Sequence, residues 1–141
     1  MKIRSLVLAG LATAGLVVGL AAPASAATNM TAKQVAARLA PLGCRARPST
    51  STAIGIKPTV ELTCMIRRET IAIDQYRNAA QVATAVVLAK TVGCQLLKSF
   101  GASEQNYVRG PNWTVSSSTA STARAISRAI GNGARVAVIH C

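Results

Sequence analysis

Histidine occurs once in this chain of 141 residues, at His140, and acids occur four times, at Glu61, Glu69, Asp74 and Glu104. These few groups bound the chemistry. A general base needs an orienting partner and a cleft. His140 adjoins Cys141 and reads as a structural or edge-strand residue, with a small basic hydrolase built on it as the weaker alternative. Ser-His-Asp chemistry would draw on Asp74 and one of many loop serines, and no serine stands in a nucleophile-elbow pattern. Glu69 and Asp74 fall on one expected strand at odd spacing, so their side chains point to opposite faces. That argues against paired-carboxylate glycoside chemistry. A small basic ribonuclease would use Glu, His and Arg; the residue types are present without a recognisable spacing.

Metal and nucleic-acid chemistry fare no better. The cysteines form no CxxC pair and only one histidine accompanies them, which excludes a zinc site of ordinary ligand spacing. No cofactor is expected. Stacking on nucleic acid would need aromatics interleaved with basic runs; Tyr76, Phe100, Tyr107 and Trp113 are not so placed, and no specific nucleic acid is expected. Trp113 reads as core, given Pro111 and the β-branched residues around it, with a ligand platform as the alternative. Arg67 and Arg68, in Met65-Ile66-Arg67-Arg68, read as a solvated hairpin turn. The sharper alternative is an exposed inhibitor loop beside a bridged cysteine. Asn29 and Asn112 head formal glycosylation sequons, discounted because the Ala- and Arg-rich chain reads as bacterial.

The elements that position these residues begin after an export signal. Lys2 and Arg4 precede an uncharged apolar run, Ser5 to Leu20, and Ala24-Ser25-Ala26 fits the small-x-small cleavage rule. Residues 1–26 are thus expected to be a cleaved signal peptide, and 27–141 a single secreted domain. No cysteine adjoins the cleavage site, so no lipid anchor is expected, nor is any later segment expected to span a membrane. Losing Lys2 and Arg4 lowers the net charge from +12 to +10. Such an excess favours anionic partners, a cell-wall polymer or an acidic protein, or simply keeps a monomer in solution.

Four cysteines in an exported chain read as two disulfides, with three connectivities open in principle. Cys44–Cys64 and Cys94–Cys141 are favoured, because they join elements that a two-layer fold brings together. Thr31 and Gln34 form a capping box for a helix over 32–39. Val60 to Ile66 alternates as a half-buried strand and 70–76 returns from Arg67-Arg68 as its hairpin partner. Asn78 caps a long helix over 79–100 whose apolar side is Val82, Val86, Ala89, Leu96, Leu97 and Phe100, with a kink expected at 91–93. One strand interrupted at Gly110-Pro111, a helix over 120–130 and a central strand over 135–141 follow. A short edge strand within 45–59 completes the reading. The expected fold is α+β, a two-layer arrangement of a mostly antiparallel sheet of about four strands, helices packed on one face, and two disulfides.

Ala36-x-x-Leu39, Gly43-Cys44, Leu62-x-Cys64, Tyr107-x-x-Gly110-x-x-Trp113-x-Val115, Gly131 and a closing strand with Cys141 occur in this order. The pattern resembles small secreted proteins and lipoproteins of actinobacteria. That resemblance implies an extracellular or cell-wall location and this fold, and it brings no assigned activity and no catalytic residue. The expected function is a secreted, non-enzymatic domain associating with anionic cell-envelope polymer. The alternatives are a secreted protein inhibitor or toxin-like effector and the small basic hydrolase.

Overall fold

The structure, a computed structural model, describes residues 28–49, 56–131 and 133–141. The expected signal peptide and most of the Ser/Thr cluster at 49–52 lie outside the described residues. Strands β1 (Arg47–Pro48), β2 (Val60–Ile66), β3 (Glu69–Gln75), β4 (Glu104–Arg109), β5 (Trp113–Ser117) and β6 (Arg135–His140) form one sheet. Its order is β1-β2-β3-β5-β4-β6, and every pairing is antiparallel. The fold is therefore α+β, with six strands where about four were expected. The expected interrupted strand at 107–115 is two strands, β4 and β5, joined through Gly110. A Cβ on Gly110 would overlap the Trp113 indole, so only glycine allows this turn to close over that ring.

Alternation divides the sheet into two faces. Leu62, Cys64, Ile66, Ile71, Ile73, Val108, Trp113 and Val115 are buried on one. Helices α1 (Ala32–Leu39) and α4 (Ala120–Ile130) cover that face, contributing Val35, Leu39, Ile126 and Ile130 to the core. Thr31 accepts from the Gln34 N–H while Gln34 accepts from the Thr31 N–H, the expected capping box. Thr119 caps α4 by a single bond, its side chain accepting from the Thr122 N–H.

Helices cover both faces, not one. From the Asn78 cap, α2 (Ala79–Leu88), a π-helical turn (Ala89–Gly93) and α3 (Cys94–Ser99) run as one rod over the other side of the sheet. The interruption expected at 91–93 is this π turn, a form enriched at functional sites. The rod is 21 residues long and apolar enough to cross a membrane by length and composition alone, where no later segment was expected to be long enough, and 11% of its apolar 18-residue window is buried. Val82 is its buried apolar anchor, whereas Leu96 and Phe100 are exposed, Phe100 at 79%. Both disulfides pair as favoured: Cys44–Cys64 joins the end of α1 to β2, and Cys94–Cys141 ties the rod to the end of β6. β6 lies at the sheet edge rather than centrally. Its apolar residues on both faces follow from α4 on one side, and Val136 and Val138 stay partly exposed.

Candidate functional site

The face beneath the rod carries a polar row that crosses five strands. Glu61 pairs with Asp74, Asp74 with Thr114, Thr114 with Arg109, and Arg109 with Arg135. Two acids are thus directly opposite each other on β2 and β3. Two arginines are directly opposite each other on β4 and β6. Like charges in such positions repel and destabilise the pairing. The next row is Thr63, Ala72, Ser116, Tyr107 and Ala137.

Small side chains leave a void between this face and the rod. Ala72 and Ser116 form part of the floor, and Ala85, Ala89 and Gly93 part of the roof, around a cavity of about 350 Å³. Glu61, Asp74, Tyr76, Gln105 and Tyr107 supply its polar groups. Gly93 brings the roof close, since a Cβ there would lie 3.4 Å from Gln105 Oε1. Under the first turns of α2, Ala79, Val82 and Ala83 roof a second cavity of about 340 Å³ lined by Arg109 and Arg135.

The first cavity holds polar atoms without partners. Asp74 Oδ1 and Gln105 Oε1 are buried and accept no hydrogen bond among the described residues. A buried acceptor left bare costs about 1–3 kcal/mol, so two around one void indicate a place for a donor. Glu61 accepts from the Ser49 hydroxyl at 2.9 Å. Burial, and then the adjoining Glu61 carboxylate, push Asp74 up from its ordinary 3.8 to about 7. Burial and the Asp74 charge push Tyr76 up to about 12, although a Thr114 hydrogen bond pulls the other way. Burial likewise raises Tyr107, followed by the effects of Tyr76 and Asp74. The phenols therefore stay neutral donors while Asp74 exchanges its proton near neutrality.

Glu69 and Asp74 do face opposite sides of β3. Glu69 accepts from the Ser118 and Thr119 N–H groups at 3.0 and 3.2 Å, and from the Thr119 and Thr122 hydroxyls at 2.6 and 2.7 Å. Burial works to raise its carboxyl, but these bonds outweigh that effect and hold it below 4.5. Its work is to anchor the start of α4. His140 is far from being enclosed: its side chain is 80% exposed, with Nδ1 3.9 Å from Glu104 Oε2, and it lines neither cavity. Arg67 and Arg68 form an exposed two-residue turn. Trp113 is fully buried on the α1/α4 face, which removes it as a surface interaction residue; its Nε1 donates to the Thr28 carbonyl at 3.4 Å.

The polar row escapes sequence reasoning because each member reads as the solvent side of a strand. One signal could reveal its acidic half. A two-residue turn at Arg67-Arg68 fixes the hairpin register, and Glu61 and Asp74 lie equally far from that turn. No family model, no curated protein and no solved structure matches this chain.

Proposed function

We propose that this is a secreted, non-enzymatic binding domain that holds a small organic cation in the cavity between the α2–α3 rod and the sheet. The observation that carries it is Asp74, which lines the cavity beside Glu61 and whose buried Oδ1 accepts no hydrogen bond among the described residues. In a chain with only four acids, two flank this one cavity. An ammonium would donate to Asp74 and neutralise its repulsion with Glu61, and two tyrosine rings add cation–π attraction. Val86, Leu88, Val92 and Leu96 call for an apolar body behind the charged head. A metal ion is the poorer occupant, because His, Cys, Asp and Glu nowhere gather in threes among the described residues. The two disulfides fit an extracellular location, in keeping with the signal peptide read in the sequence.

Calorimetry with hexylammonium and hexanol tests the reading. Hexylammonium should bind at least tenfold tighter, and Asp74→Asn should erase the difference. Equal binding of the two by the wild-type protein would refute it.

A second reading, association with an anionic cell-wall polymer, is favoured by where the acids lie. Glu61 and Asp74 line the cavity and Glu69 is engaged at α4, so the outer surface is more positive than the composition alone implies. Retention on isolated cell walls should then fall steeply with added salt. Retention indifferent to salt would remove this reading.

A further inference from the structure

The arginine half of the polar row has no role in holding a cation. Arg109 and Arg135 are cross-strand partners, line one cavity, and have no acidic partner among the described residues. Interleaving the four charges across the strands would have given two favourable pairs. Instead the sheet keeps acids at one end and bases at the other, with Thr114 between them. Asp74 and Arg109 sit on strands separated only by β5, which places their backbones about 10 Å apart. One helix roofs both ends, through Ala79, Val82 and Ala83 over the arginines and Ala85, Val86 and Ala89 over the acids.

We infer that the ligand is a zwitterion, its ammonium at Glu61 and Asp74 and its oxyanion, a carboxylate or phosphate, at Arg109 and Arg135. This deepens the cation-binding reading and rests on it. Such a ligand meets the repulsion at both ends at once. A guanidinium pair offers a fork of donors suited to a two-oxygen anion. The gap calls for an extended chain of several atoms between the two charges, longer than an α-amino acid provides.

Calorimetry on the disulfide-bonded protein with 6-aminohexanoate, hexylammonium and hexanoate separates the possibilities. The zwitterion should bind at least tenfold tighter than hexylammonium. The double variant Arg109→Gln/Arg135→Gln should lose that gain and keep hexylammonium affinity within twofold. It relieves a repulsion rather than opening the core, and its far-ultraviolet spectrum should match the wild type. If 6-aminohexanoate binds no tighter than hexylammonium, the zwitterion inference fails and the cation site stands. If neither amine binds up to its solubility limit, both fail.

Discussion

Replacing Asp74 by asparagine should stabilise the protein, increasingly so as pH rises. The folded carboxyl keeps its proton up to about pH 7, whereas the unfolded one loses it near its ordinary 3.8. Between those values the folded state binds more protons than the unfolded state, so raising the pH costs stability. A tenfold change in acidity corresponds to about 1.36 kcal/mol, so carrying the carboxyl from 3.8 to about 7 costs the folded state about 4 kcal/mol. That full cost is present above pH 7 and vanishes below the unfolded value. Asparagine has nearly the same shape and no charge to desolvate. Urea unfolding of both proteins across the pH range gives the difference directly, and effects of other titrating groups cancel between them. At about pH 4 the two should agree within about 1 kcal/mol, and at about pH 8.5 the variant should lead by about 4 kcal/mol. A gap that stays flat would mean that Asp74 carries no unfavourable charge in the cavity. A gap of opposite sign at alkaline pH, with the wild type the more stable protein and the difference closing towards acid, would mean that the folded carboxylate is paired with a cation. The separation of acids from arginines along the row would then be wrong.

Three other substitutions test the frame. Arg67 and Arg68 both adopt positive φ, 52° and 65°, and asparagine and glycine suit that turn better. Arg67→Asn/Arg68→Gly should therefore raise the urea midpoint, corresponding to about 1–2 kcal/mol. Gly110→Ala should cost about 3 kcal/mol or more, because the new methyl overlaps the buried Trp113 ring; a raised or unchanged melting temperature would contradict the packing. Cys94→Ser/Cys141→Ser opens a loop spanning a sequence separation of 47, worth about 4 kcal/mol in the chain-entropy view. It should also quicken amide exchange in the rod more than in α4.

Much of the frame can be read from residue order alone. The capping box at Thr31 and the β2–β3 hairpin follow from local chemistry, and both disulfides follow from the expected two-layer arrangement. Strand count and layering do not follow. Gly110-Pro111 reads as a flaw in one strand, yet the turn it makes lets β4 and β5 pair. The rod reads as a core helix because it is apolar, but an apolar composition does not say which sheet face it covers. With α1 and α4 already filling one face, the rod takes the other, and a second helical layer partly encloses the polar side of the central strands.

That reversal also explains why the candidate site is illegible in the sequence. Glu61, Asp74, Arg109 and Arg135 all occupy positions that alternation assigns to solvent. Beneath the rod Glu61 and Asp74 become half-buried walls of the first cavity, whereas Arg109 and Arg135 line the second and stay exposed. The sheet could have avoided opposed like charges by alternating signs, and a larger residue at Ala72 or Ser116 could have filled the void. Neither is the case, and the rod is left with only Val82 and the bridged Cys94 buried. A fold optimised for stability alone would not keep bare acceptors, opposed like charges and a void in one layer. The inferred ligand, with a charge at each end, would remove both repulsions and supply the missing donor. The groups that weaken the empty protein are then the ones that would strengthen the occupied one, so ligand-induced stabilisation should be larger than contact area alone would give.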